Sequence, residues 1–374
     1  MPRAYNSVTL QTLHYLIRPH TELPKGPVEG PAAWRGKELE AREDWLDQLS
    51  DEDVAELEAA LAFAKQTRKP LAELSLRDFP LPGLQSKLRH WRRAVHEGSG
   101  VQVVRGLPVE RWSATETELV FWGLGQHLGT PGAQNERDDL LGHVKDQGVS
   151  YDAPDVRGYQ TRAALNYHCD AADAVGLLCL KTAKSGGQSR FVSSVSVWNR
   201  LWEEHPAFAL RLFEPFHFDT RGDGGLDFFP IEPCRFASGK LRTFYHGDYF
   251  RTAEQHPGAP QLSLKDRELL DAYDAIANEP GMYIEYDFAP GDIQLLSNHT
   301  VLHARTDYED HAEPDRKRHL LRLWLSFDDD RPRPHRSQLA QGARLLGALA
   351  GGRARKQAKR GLGKLRARLP KRSK

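Results

Sequence analysis

Arg318-His319-Leu320-Leu321-Arg322-Leu323-Trp324-Leu325 reads as a strand with two unlike faces. Alternate side chains of an extended chain point to opposite sides. Leu321, Leu323 and Leu325 therefore share one face, and Arg318, Leu320, Arg322 and Trp324 share the other. Two arginines among apolar neighbours can serve an internal anion or pair with acidic groups of the same chain. Four residues of strand span roughly 13 Å, so the two guanidinium groups can converge on the two ends of a five-carbon diacid. Arginine suits that task because its planar fork binds a carboxylate bidentately and keeps its charge when partly buried.

Working outward, residues 174–180 (AVGLLCL) form a continuous apolar run of strand length, and 191–197 alternates in places. Residues 101–105, 282–288 and 292–296 are further strand candidates, and 235–245 reads as a hairpin turning at Ser238-Gly239. Helices are expected over 36–66 with Ser50 as an N-cap, over 82–97, and over 116–128. A helix pair is expected over 197–213, its second member opened by Pro206, and another helix from Ser263 to Asn278. The first 35 residues, rich in Pro and Gly, read as an irregular lead-in. The sum is an α+β chain: an N-terminal helical extension (1–100), a strand-rich core (101–330) and a basic tail (331–374).

A length of 374 residues with 39% hydrophobic and 28% charged residues is an ordinary soluble composition, sufficient for a large core. No stretch approaches the roughly 20 apolar residues of a membrane span. Residues 1–20 lack the basic-then-apolar order of a secretory signal, so a cytoplasmic location is expected. Cys169, Cys179 and Cys234 are too few and too scattered for a disulfide framework or a thiolate zinc site. The net charge of +1 conceals an asymmetry. The tail holds 15 Lys or Arg and no acid, which leaves 52 − 15 = 37 basic against 51 acidic residues in 1–330, or −14. Leu362, Leu365 and Leu369 allow a short amphipathic helix there, fit to contact an acidic protein, a membrane surface or nucleic acid. A solvated extension that aids solubility is the plainer reading.

Asn166-Tyr167-His168-Cys169-Asp170 places an imidazole and a carboxylate two residues apart, on one side of an extended chain. An exposed or hydrogen-bonded His–Asp pair explains that pattern equally well on its own. A third ligand is offered by His303 in Val301-Leu302-His303-Ala304-Arg305, 303 − 168 = 135 residues downstream, with His299 as a competitor. Two histidines and one carboxylate on one face of an octahedral ion leave three positions open, the arrangement of iron(II) oxygenases. Those positions accept a bidentate 2-oxo acid and O2. Asn166, Tyr167 and Asn298 flank the ligands and are candidates for substrate contact or for structural support. Gly186 and Gly187 read as a turn, since no phosphate-loop Lys-Ser/Thr follows them.

The collinear order of His168-x-Asp170, Ser185-Gly186-Gly187-Gln188-Ser189, Pro290-Gly291-Asp292, His303 and the pair Arg318/Arg322 resembles the taurine dioxygenase family of Fe(II)/2-oxoglutarate oxygenases, which includes the herbicide-degrading and clavaminate synthase-like enzymes. The resemblance covers about 101–327. It implies a distorted double-stranded β-helix, a jelly roll with iron at its mouth. It also implies that Arg322 pairs with the distal carboxylate of 2-oxoglutarate, that Arg318 lies nearer the metal-chelating end, and that Ser189 assists. Many relatives carry Thr at that serine, and the acidic loop 307–315 is a departure. The implied reaction is hydroxylation of a small molecule, by family habit an amino acid or related carboxylate, with release of succinate and CO2. Desaturation and oxidative cleavage are alternative outcomes at the same site. Halogenating relatives have Ala or Gly where this chain has Asp170, so halogenation is not expected. Outside this class stand a metal-binding β-barrel without turnover and a zinc hydrolase, which gives the arginine pair no role. Specificity is expected from loops at the barrel mouth, 134–161 and 214–250.

Overall fold

Residues 319–326 form the strand that the alternation predicts, and its two faces meet different surroundings. The computed structural model describes residues 7–135, 137–150, 156–222, 226–327 and Gly347. The amphipathic helix expected in the basic tail lies outside the described residues.

Two sheets carry the architecture. Their strands in chain order are Leu46–Gln48 (β1), Val101–Arg105 (β2), Thr130–Gly132 (β3), Leu141–Val144 (β4), Leu165–His168 (β5), Ala174–Lys181 (β6), Ser189–Ser193 (β7), Tyr283–Tyr286 (β8), Ile293–Ser297 (β9), Val301–Arg305 (β10) and His319–Ser326 (β11). The major sheet has the order β1-β2-β9-β6-β11-β3, with β4 also paired to β11; the minor sheet has the order β8-β7-β10-β5. The β1–β2 pair is parallel and the remaining pairs of both sheets are antiparallel.

Leu321, Leu323 and Leu325 of β11 join Leu178 and Leu295 on the outer face of the major sheet. There they pack against residues of the helices Asp51–Thr67, Gln85–His96 and Ala114–Leu128. Burying each leucine stabilises the fold by about 1.5–3 kcal/mol. Val192, Leu302 and Ala304 of the minor sheet pack outward on the helices Ser194–Glu204 and Leu264–Ala277. Between the sheets, Val175, Leu296 and Trp324 of one meet Phe191, Ile284 and Val301 of the other. The expected α+β jelly roll with flanking and inserted helices is what the chain builds.

Three local expectations fail, each for a physical reason. The lead-in contains a helix, Val8–Leu16 (α1), capped by Ser7, whose Oγ accepts from the Leu10 N–H at 3.2 Å. The helix expected over 36–66 is interrupted. A short helix, Gly36–Glu40, abuts the minor sheet so closely that a Cβ on Gly36 would lie 2.1 Å from the Tyr283 carbonyl oxygen. The chain then extends into edge strand β1 before Ser50 caps the long helix at Asp51. The strand expected over 191–197 stops at Ser193, whose Oγ accepts from the Ser196 N–H and caps the following helix.

Candidate active site

The antiparallel pairing of β10 with β5 sets His303 directly opposite His168. Their ring centroids lie 4.3 Å apart. β5 ends at His168, and Asp170 sits in the turn beyond it, where its N–H donates to Asn298 Oδ1 at 2.9 Å. The His-x-Asp convergence therefore comes from a strand end plus a pinned turn, where an extended chain was expected. One ligand atom from each of His168, Asp170 and His303 lies within 4.8 Å of the others, and these three are the group of this kind found among the described residues.

His168 Nδ1 lies 2.8 Å from the Asn166 carbonyl oxygen, a contact that only a protonated Nδ1 satisfies. The lone pair is thereby left on Nε2, the tautomer a metal requires. His303 Nε2 stands 3.7 Å from Asp170 Oδ2. Burial, His168 and Arg322 outweigh the pull of Asp170 and lower the His303 pKa to about 3, so the ring is neutral. Burial alone raises the Asp170 carboxyl, but Arg322, His303 and His168 overcome it and hold the group ionised. Asp170 Oδ2 is buried with no hydrogen-bond partner among the described residues. The free Nε2 lone pair of His168, a neutral His303 ring and a buried carboxylate oxygen without a hydrogen-bond partner fit a divalent cation, which satisfies all three at once. The competitor His299 is engaged elsewhere, its Nε2 2.7 Å from Asp173 Oδ1.

β11 brings its polar face to the same cavity, which is lined by Arg318, Leu320, Arg322 and Trp324 and measures about 170 Å³. The antiparallel register of β11 on β6 pairs Arg322 with Leu177 and Leu325 with Ala174, so the strand approaches the Asp170 turn as it proceeds. Arg322 consequently stands near the candidate metal ligands, its Nη1 3.5 Å from Asp170 Oδ1, and its Nε donates to Gln134 Oε1 at 2.8 Å. Arg318 lies toward the far end, against the Tyr308 ring and the Gly187 carbonyl. This reverses the expected order of the two arginines. Sheet register decides it, and the spacing of the two residues is silent on direction.

The acidic loop and the glycine turn both hold Arg318. Asp310 Oδ1 accepts from its backbone N–H at 2.7 Å. Gly186 and Gly187 adopt φ of 72° and 78°, and a Cβ on Gly187 would lie 3.0 Å from Arg318 Nε. The turn reading of that motif thus has a steric cause. Ser189 lines the cavity and donates its hydroxyl to Gln294 Oε1 at 2.8 Å.

Of the flanking residues, Asn166 lines the cavity. Tyr167 does not: one step along β5 from His168, it faces the opposite side and packs in the helix-covered core. Asn298 is fully buried and holds the Asp170 backbone, so its place is structural support and the expected substrate contact is corrected. Sequence reading missed Arg305, which is buried and lines the cavity, its Nη2 donating to the carbonyl oxygens of Thr161 (2.8 Å) and Ala163. Burial and then Arg318 lower its pKa to about 10. It also missed Gln134 and His246. His246 stacks on Tyr249 at 3.6 Å between centroids, and burial, His168 and nearby arginines hold it well below its ordinary pKa. Only their place in the loops 134–161 and 214–250, both of which line the cavity, pointed to them.

A profile of the taurine catabolism dioxygenase TauD, TfdA family matches residues 67–324. FR-33289 synthase of Streptomyces rubellomurinus is 29% identical over 324 residues, 84% of this chain and 94% of its own. Taurine hydroxylase-like protein SAT17 of Stachybotrys chartarum is 30% identical over 324 residues, 82% of this chain and 81% of its own. Among solved structures, asparagine oxygenase in complex with Fe(II), 2S,3S-3-hydroxyasparagine and succinate aligns with a TM-score of 0.61 at 16% identity, covering 75% of this chain and 93% of that one. The non-heme iron oxygenase OrfP in complex with Fe and alpha-ketoglutaric acid gives 0.53 at 18%, covering 76% and 94%.

Proposed function

The chain belongs to the taurine catabolism dioxygenase TauD, TfdA family, and on that premise we propose that His168, Asp170 and His303 hold its iron and that a small carboxylate-bearing molecule is its substrate. The family's reaction uses iron(II), 2-oxoglutarate and O2, and membership removes the non-catalytic barrel and the zinc hydrolase from consideration. When bound, the iron would activate O2, the oxidant of the C–H hydroxylation, while 2-oxoglutarate would give up two electrons and leave as succinate and CO2. The chain's own residues bind and orient.

The observation that carries the reading is the His168–Asp170–His303 group, half-buried at His168 and buried at the other two, with two arginines at unequal distances from it. Arg318, buried and with Nη1 lacking a partner among the described residues, suits the distal carboxylate of 2-oxoglutarate, with Ser189 beside it in the same cavity. Arg322, oriented by Gln134, stands where a carboxylate close to the metal meets it. Phe218, Phe229, Phe244 and Tyr249 line the cavity, exclude water and pack a small apolar body. The support for an amino acid or related carboxylate is the cationic lining: among the described residues, Arg157, Arg305, Arg318 and Arg322 stand against the single acid Asp170. Asparagine oxygenase and OrfP, which share the fold, are known in complex with hydroxylated amino acids. No helix among the described residues is long and apolar enough to cross a membrane.

The test is an anaerobic absorbance titration with iron(II) and 2-oxoglutarate, followed by a screen of amino acids and other small acids read as succinate. A metal-to-ligand charge-transfer band that forms in the wild type and is lost in His168→Ala and Asp170→Ala is expected. A band that persists unchanged in both removes the ligand set.

A further inference from the structure

We infer that helix α1, which precedes the matched family region, is part of the active site and positions Asp170 by clamping the turn 170–173. The inference rests on Asp170 being a metal ligand. Val8, Gln11, Thr12 and Tyr15 recur at helical spacing and form one inward face. Val8 and Thr12 line the active-site cavity. Gln11 is fully buried; its Nε2 donates to the Ala171 carbonyl at 3.4 Å, and its Oε1 accepts from Ser326 Oγ at 3.1 Å.

One turn on, His14 Nε2 lies 3.0 Å from Asp173 Oδ2, and the buried Tyr15 hydroxyl donates to the Asn298 carbonyl at 2.7 Å. Asp173 and Asn298, besides Gln11, hold the Asp170 turn. Asn298 Oδ1 receives the Asp170 N–H, and the Asn298 N–H donates to the Asp173 carbonyl at 3.1 Å. Asp173 is 3% exposed, and its carboxylate also contacts His299 Nε2 at 2.7 Å and the Phe327 N–H at 2.8 Å. One buried carboxylate thus joins α1, the segment after β9, the end of β11 and the metal-bearing turn. A ligand carried on a turn beyond its strand has no ladder to hold it, so its placement depends on such contacts. Asp173 and His14 are positioning residues, acting through the turn and touching no reacting atom.

The experiment measures iron(II) affinity anaerobically with the metal alone, together with the absorption spectrum of the cobalt(II)-loaded full chain. His14→Ala and Asp173→Asn are expected to weaken iron(II) binding about tenfold, the usual scale for residues that orient a ligand, and to alter the cobalt spectrum. His14→Gln, which keeps a donor toward Asp173, is expected to restore both. Should Asp173→Asn fail to fold, His14→Ala decides, because His14 borders a second cavity and belongs to none of the hydrophobic clusters. Wild-type affinity and spectrum in His14→Ala, with or without a lower melting temperature, overturn the inference. Retained metal binding in His168→Ala would instead mark a failure of the proposed ligand set.

Discussion

Replacing Arg318 by Met separates a co-substrate anchor from a structural cation. Arg318 is 4% exposed. Its polar contacts are weak for so buried a charge: Nη2 reaches the Gly187 carbonyl at 3.4 Å, and Nη1 has no partner among the described residues. Burial lowers its pKa, and it in turn helps lower that of Arg305 to about 10. The protein without co-substrate therefore gains from this side chain the Tyr308 ring contact and one long hydrogen bond, set against burial of the charge and repulsion of Arg305. In the proposed role, Arg318 forms a charge-assisted pair with bound 2-oxoglutarate, and truncating one partner of such a pair costs about 2–3 kcal/mol or more. At about 1.4 kcal/mol per tenfold, Arg318→Met weakens 2-oxoglutarate binding by about 30- to 150-fold. Its melting temperature without 2-oxoglutarate stays at or above that of the wild type. The assay is an anaerobic 2-oxoglutarate titration of the iron-loaded protein, paired with thermal unfolding. Unchanged affinity with a lowered melting temperature would refute the reasoning and make Arg318 a structural residue.

Gly187→Ala forces a side chain into the left-handed region at φ of 78° and against Arg318 Nε; a loss of about 1–2 kcal/mol in urea unfolding, with weaker 2-oxoglutarate binding, is the expected pair of results. Gln134→Leu removes the acceptor for Arg322 Nε and costs about 1.5–3 kcal/mol of stability, the value of a hydrogen bond to a charged group; unchanged urea unfolding would contradict it. His319, on β11 with its Nε2 2.9 Å from His143 Nδ1, is held to about 4 by burial, His143, Lys145 and Lys181, against an ordinary 6.5. A base whose folded pKa is depressed stabilises the fold above its unfolded pKa, so this contribution is present above pH 6.5 and is lost as pH falls through about 4. His319→Gln flattens that part of the stability profile; an unaltered slope over this window counts against the assignment.

Periodicity fixed the elements that local chemistry dictates. The alternation in β11 assigned residues 320–325 to the correct faces, because a pleated strand has a period of two whatever it pairs with. Ser50, Pro206 and Ser263 marked helix starts for a similarly local reason, the need of the first turn for acceptors or for a residue without an N–H. The three proposed ligands were legible because their residue types are rare in combination and their order is shared with a family. The structure then had to decide what depends on contacts between distant segments. β5 against β10 put His303 opposite His168, and β11 against β6 determined which arginine faces Asp170. Asn298 and Tyr167 could not be sorted by sequence, since adjacency to a ligand leaves open whether a side chain points into the cavity, the core or the backbone of a turn. The role of α1 is the extreme case. Nothing in residues 8–16 signals chemistry, and only folding brings His14 to Asp173 and Tyr15 to Asn298, 159 and 283 residues away. The sequence alone determined the kind of chemistry, through residue types that only a few reactions employ; the tertiary structure decided which of those residues stand together and in what order, because register and turn geometry are collective properties of the whole chain.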